Sequence, residues 1–192
     1  MWMKDEDKLV EEVLQGKHSS FELLLQPYRQ GFLNMAYRIT GDREEAQEVC
    51  QDAFLKIFKY LKSFKKGRSF KAWSYKVLMN TSYDYLREKK KFKRVIESQR
   101  GTSVYVYEVP KIEQRVWRKQ MKEKIQSMLD ILSPKEKAVF LLRDSEGLSV
   151  REASLVLGCS QISVRTHLSR ARQKIKNHFE KDHLKKIKEG KT

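Results

Sequence analysis

Residues 149–179 read SVREASLVLGCSQISVRTHLSRARQKIKNHF, and this stretch decides the fold. Ser149 and Glu152 stand three apart ahead of an apolar run, the spacing of a capping box in which hydroxyl and carboxylate satisfy each other's backbone donors. Gly158 ends the short helix that follows, because glycine takes a left-handed turn without a side-chain clash. Ser160 caps a second, longer helix expected to reach about Phe179. Two helices about a glycine turn, the second long and basic, make a helix-turn-helix. That second helix carries Arg165, Arg170, Arg172, Lys174 and Lys176 and meets no acid before Glu180. Ile162, Val164, Leu168, Ala171 and Ile175 are expected to hold it against its domain. Arg165, Thr166 and Ser169 then project near its N-terminal half, where such a helix reads base edges in the major groove.

The punctuation continues upstream. Ser133-Pro134-Lys135-Glu136 supplies a cap, a proline at the first helical position and a glutamate three after the cap. Before it a helix from near Glu113 carries Val116, Trp117, Met121, Ile125, Met128 and Leu129. Residues 95–112 (VIESQRGTSVYVYEVPKI) lose the helical period and contain Gly101 and Pro110. Val104–Tyr107 alternates like a strand but lacks an obvious partner, so a linker is expected there.

The N-terminal half shows a 3.6-residue period throughout. Phe21, Leu24, Leu25, Tyr28, Phe32, Met35, Ala36 and Ile39 form one stripe, with Pro27 expected to kink or split the helix. Ser19 with Glu22 has capping-box spacing at its start. Gly41 closes that helix and Asp42 caps the next, whose core positions are Ala46, Val49, Cys50, Ala53, Phe54, Ile57, Phe58 and Leu61. A loop over 63–69 leads to a third long helix, expected from about Phe70 to about Lys90. The expected fold is all-α: two small helical domains, a helical bundle over 1–94 and a helix-turn-helix domain over 113–180. A flexible linker (95–112) joins them, and 181–192 form a basic tail.

Lys plus Arg number 41 against 25 Asp plus Glu, a net charge of +16. Such a balance favours a polyanion, since each phosphate contact releases condensed counterions. No apolar run nears the roughly 18 residues that span a bilayer, and MWMKDEDKL is too acidic for a signal peptide. The chain is therefore expected in the cytoplasm, without stable membrane insertion. The charge is concentrated: residues 56–94 hold 14 Lys/Arg and only Asp84 and Glu88 as acids. Phe64, Phe70, Trp73, Tyr75, Tyr83, Tyr85 and Phe92 are interleaved with them. Cations with aromatics point to unpaired bases as well as phosphates, although core packing is the simpler reading for Trp73 and Tyr85. Just upstream the sign reverses. Asp42, Glu44 and Glu45 suit a helix's first turn, but Glu48, Gln51 and Asp52 lie too deep for that and suggest a basic protein partner.

Cys50 and Cys159 are too few and too far apart for a metal site or a disulfide, and are expected to be small buried hydrophobes. His18, His167, His178 and His183 are expected at the surface. There are no paired catalytic carboxylates, no nucleophile elbow, no metal-ligand cluster and no phosphate-binding glycine loop. No enzyme activity, catalytic residue, metal or cofactor is expected. A phosphorylated response regulator would need alternating strands and helices upstream. A basic RNA-binding protein would leave the acidic face unexplained.

At this point the residues resemble a known family. Phe21 to Lys91 resembles region 2 of extracytoplasmic-function (ECF) sigma factors. Ile39-Thr40-Gly41-Asp42-Arg43-Glu44-Glu45-Ala46 and Gln51-Asp52-Ala53-Phe54 fit the helix that binds the polymerase clamp. Phe70-Lys71-Ala72-Trp73-Ser74-Tyr75-Lys76, with Asn80 and Asp84, fits the helix that engages the minus-10 element. Leu132 to Lys176 resembles region 4 through Leu132–Glu136, Glu146–Ser149 and Val164–Arg172. The likeness covers about two-thirds of the chain, with both motif sets in the family's order. Ser74 departs from the usual large aliphatic residue, and Ala153 and Ser154 from an isoleucine and an alanine; packing is expected to change more than function.

The resemblance implies a sigma subunit that lends promoter recognition to bacterial core RNA polymerase. Glu48, Gln51, Asp52 and Phe54 would meet the polymerase. Lys65, Arg68, Lys71, Trp73, Lys76 and Asn80 would engage melted minus-10 DNA, the loop from Ser63 to Lys71 accepting a flipped base. Arg165, Thr166, Ser169 and Arg170 would read the duplex minus-35 element, and the linker would thread the polymerase. An anti-sigma protein, common in the family, is the further partner implied.

Overall fold

The computed structural model describes the backbone of residues 2–99 and 125–188, with side chains over 6–91 and 125–181. Among the described residues there is no strand. The chain divides into two compact units, residues 1–111 and 112–192.

The first unit holds α1 (Trp2–Leu14), α2 (Ser19–Leu25), α3 (Arg29–Thr40), α4 (Arg43–Tyr60), a 3-10 turn (Leu61–Ser63) and α5 (Phe70–Gln99). Pro27 splits rather than kinks, falling between α2 and α3. Gly41 closes α3 with φ 81°, its amide reaching the Tyr37 carbonyl at 2.8 Å. The Asp42 carboxylate then accepts from the Glu44 and Glu45 amides at 2.8 and 3.0 Å. Such a cap is worth about 1 kcal/mol.

The expected box at Ser19 does not form. His18, which precedes α2, already has helical dihedrals (φ −61°, ψ −27°), and no side chain caps the helix. The amides of Ser20 and Phe21 are taken by the carbonyls of Lys17 and His18, so the chain is already wound ahead of Ser19. Glu22 instead reaches Arg29 at 2.9 Å.

Phe32 sits at the centre of the core with no exposed surface. The Tyr75 ring meets it edge-on at 4.9 Å and the Phe54 ring stacks on it at 5.6 Å. Leu24, Met35, Ile57, Leu61, Phe70, Leu78 and Met79 close around this cluster, all fully buried. Each such side chain contributes roughly 1.5–3 kcal/mol of burial. Helix α1 has no counterpart in the expected elements. Val10 and Val13 are buried, while Glu6, Glu12 and Glu11 reach Tyr28, Ser20 and Lys66.

The second unit holds α6 (residues 125–130), α7 (Pro134–Phe140), a π turn (Leu141–Ser145), α8 (Val150–Leu157) and α9 (Gln161–Lys188). Both expected boxes are present, Ser133 with Glu136 and Ser149 with Glu152. In the second, the reciprocal bonds measure 3.1 and 2.8 Å. Gly158 ends α8 at φ 62°, and the Ser160 hydroxyl accepts from the Ser163 amide at 3.1 Å. Leu129, Leu141, Leu142, Leu148, Ala153, Val164 and Ala171 form the core with no exposed surface.

Two helices outrun their expected ends. α5 continues through Gln99 into the expected linker, and α9 through Lys188 into the expected tail. No glycine or proline follows before Gly101 and Gly190 respectively, so nothing local breaks the ladder. The remainder of the linker, with Val104–Tyr107, and residues 113–124 lie outside the described residues.

Ile162 is the larger correction. It is 73% exposed and takes no part in the core. Buried Val164 lies two positions further on, about 200° around a helix axis, so the two cannot share a face.

Candidate functional site

The first surface lies on α4. Glu48, Gln51 and Asp52 are all exposed, and their spacing of three and four puts them in one row. Leu55, 70% exposed, extends that row by one turn and was not among the expected residues. Phe54 does not join it, being half-buried against Phe32. The acidic face is partly engaged by the molecule itself. Asp52 pairs with Lys56 at 2.8 Å, and Glu45 with Lys89 on α5. Tyr85 bonds Glu48; burial first, then the carboxylates of Glu45 and Glu48, push its phenol above its ordinary range.

The second surface is the loop before α5 together with the start of that helix. Phe64, Phe70 and Tyr75 are buried, which resolves their double reading in favour of core. Trp73 is half-buried, its ring 5.5 Å from Phe64 and 5.7 Å from Phe70. Lys65, Arg68, Lys76 and Asn80 are exposed and Lys71 is half-buried. Trp73, Lys76 and Asn80 recur at three and four along α5, one row again. The loop is held from α1. Gly67, at φ 73°, donates its amide to the Asp7 carboxylate at 3.2 Å, and Lys66 pairs with Glu11. Ser69 caps α5, accepting from the Ala72 amide at 3.1 Å.

The third surface is α9. Arg165, Thr166, Ser169 and Arg170 are all exposed, as expected. Arg165, Thr166 and Ser169 form one row, and Arg170 stands on its flank. Arg172 and Lys174 are turned to structural use. Arg172 grips Asp144 through two bonds of 2.9 and 2.6 Å, and Lys174 reaches Glu136 at 2.7 Å. The Lys174 ammonium and the Ser133 amide hold the buried Glu136 carboxyl down at about 2. Thus the helix presents some cations outward and fastens itself with others.

Cys50 is buried and its thiol pushed up to about 11 by burial, while Cys159 is half-buried. His18 is exposed as expected, but His167 and His178 are half-buried. Among the described residues no group of three or more His, Cys, Asp or Glu could hold a metal ion. None of the described helices is long and apolar enough to cross a membrane.

Comparison with known proteins follows the same division. Residues 24–92 match the family described as sigma-70 region 2, and residues 122–175 match sigma-70, region 4. The RNA polymerase sigma factor YlaC of Bacillus subtilis is 32% identical over 167 residues, 86% of this chain and 95% of that one. The chain belongs to the sigma-70 family, in its ECF branch. Escherichia coli K12 has a relative of this sigma factor, its ECF RNA polymerase sigma-E factor, 26% identical over 88% of this chain and 91% of that one. CnrH, solved in complex with the cytosolic domain of CnrY, shares the fold with a TM-score of 0.72. The likeness covers 93% of this chain and 99% of that one at 22% identity.

Of the three positions expected to depart from the family pattern, Ser74 and Ala153 are buried and Ser154 is half-buried. Ser74 is fully buried and gives its hydroxyl to the Lys71 carbonyl at 3.0 Å. Ala153 is buried in the turn motif, and Ser154 bonds the Arg151 carbonyl at 2.7 Å.

Proposed function

We propose that this sigma factor directs core RNA polymerase to particular promoters through three surfaces and helps open the DNA, catalysing nothing itself. The exposed row on α4, Glu48, Gln51 and Asp52 with Leu55, offers acids and an amide around one apolar contact, which suits a basic clamp on the polymerase. Phe54 supports that row from behind by stacking on Phe32. Loop residues Lys65 and Arg68, with Lys71, Trp73, Lys76 and Asn80, take melted minus-10 DNA: cations follow phosphates and the half-buried tryptophan meets a base. Arg165, Thr166, Ser169 and Arg170 read the minus-35 duplex in the major groove.

The observation that carries this reading is the outward row on α9, whose side chains stay exposed while Arg172 and Lys174 are tied to acids of their own unit. Neither surface alone need bind tightly. Held at fixed spacing by the polymerase, the two act as one bivalent ligand with raised effective concentration. Extruding a base costs a few kcal/mol, which pocket contacts and stacking offset without ATP. The division into region 2 over 1–94, a linker over 95–112 and region 4 over 113–180 belongs to the same proposal. So does a cytoplasmic location, where polymerase and promoters are. An anti-sigma protein covering these surfaces is a further proposed partner.

The test is transcription in vitro. Core enzyme with this protein, on a genomic template, should start RNA at a defined set of sites sharing two spaced elements. Failure to bind core enzyme, or an unchanged set of start sites, refutes the reading.

A further inference from the structure

We propose that Ile162 is a specificity-determining residue of α9, its side chain placed to meet the 5-methyl group of a thymine in the duplex. The inference rests on the reading of α9 as the helix that enters the major groove.

At 73% exposure Ile162 is the most exposed large apolar side chain among the described residues. Neither the core nor the cap accounts for it. The buried side of α9 is Val164, Leu168 and Ala171. The turn is closed by the hydroxyl of Ser160, not by residue 162. Isoleucine is a poorer helix former than alanine, so local propensity does not favour it there. A lone surface isoleucine needs no explanation on an ordinary helix face. This one, however, precedes Arg165 by three residues, Thr166 by four and Ser169 by seven, which puts it at the N-terminal end of their row. Its carbonyl accepts from the Thr166 hydroxyl at 3.0 Å, a bond between two members of that row.

The chemistry of the groove supplies the complement. Arginine pairs with guanine acceptors, and hydroxyls pair with either donors or acceptors. Thymine alone presents a methyl group, and an apolar side chain is what recognises it. Without Ile162 the row has no large apolar member. With it, the row can read a thymine beside the base taken by Arg165. Removing one methyl from such a contact changes affinity about fourfold.

The test removes that methyl alone. Holoenzyme assembled from core polymerase and the full chain is titrated with promoter duplexes in which each upstream thymine is replaced in turn by uracil. Wild type should lose about fourfold at one position. Ile162→Ala should bind the thymine duplex as weakly as wild type binds the uracil one, and should ignore the replacement there. Ile162→Val should retain part of the discrimination, and Arg165→Ala all of it. Ile162 is exposed, so these variants fold, as thermal melts will verify. Equal responses of wild type and Ile162→Ala to every uracil overturn the inference. So does an Ile162→Ala loss that tracks self-association of the protein rather than the template. If base changes upstream and Arg165→Ala both leave binding untouched, the reading of α9 itself fails. Base-specific binding without a methyl response sinks only the role of Ile162.

Discussion

Replacing Glu136 with glutamine isolates one ion pair between α7 and α9. Glu136 is 5% exposed and accepts from the Lys174 ammonium at 2.7 Å and from the Ser133 amide at 2.9 Å. Glutamine can still serve the Ser133 amide, since capping boxes use either residue. What disappears is the charge on the acceptor facing Lys174. Hydrogen bonds to charged groups contribute about 1.5–3 kcal/mol against about 1 for neutral ones. The Lys174 side chain is 46% exposed, so solvent screening brings the expected loss to about 1 kcal/mol. In a domain of this size that lowers Tm by roughly 4–8 °C.

The pH dependence has a definite sign. Folding holds the carboxyl at about 2 against its ordinary 4.5. The charged form therefore stabilises the fold above about 4.5, and this contribution is lost as pH falls from there through 2. Melts of the full chain should show a constant gap between wild type and Glu136→Gln from pH 7 to 5, and a narrowing gap at pH 3. Lys174→Met should cost about 1 kcal/mol in wild type and little once Glu136 is glutamine. A gap that is the same at pH 7 and pH 3, or that widens in acid, refutes the assignment.

Phe32→Ala should cost about 3–5 kcal/mol and abolish the cooperative melt of the first unit, which near-UV circular dichroism would report. Asp7→Ala should speed exchange of the Gly67 amide about fivefold, because one hydrogen bond is removed while Val10 and Val13 keep α1 in place. Iodoacetamide at pH 8 should label Cys159 well before Cys50, whose buried thiol sits at about 11. Lys90→Ala should lower the salt slope of DNA binding by about one, whereas Lys89→Ala should do less, its charge being matched already by Glu45. Equal slopes for the two lysine variants would count against that division of labour.

Much of this molecule was legible without a fold. Asp42, Ser133, Ser149 and Ser160 declare their helices because a cap acts on amides two or three residues away, inside a single turn. Gly41 and Gly158 declare helix ends for the same reason, since their left-handed turns need no distant partner. The row of Arg165, Thr166 and Ser169 follows from spacing alone, and spacing would have placed Ile162 with it. Its apolar identity points to the core, but its angle on the helix does not. Tertiary structure decided the rest. Ser19 lost its cap because the residues before it were already wound, and Leu55 rather than Phe54 completes the exposed row on α4. Lys66, Lys89, Arg172 and Lys174 found Glu11, Glu45, Asp144 and Glu136 across 55, 44, 28 and 38 residues of chain. A charge run in sequence records how many cations are present. Which of them remain for DNA depends on the acids that packing brings within reach, because an ion pair is made by distance in space.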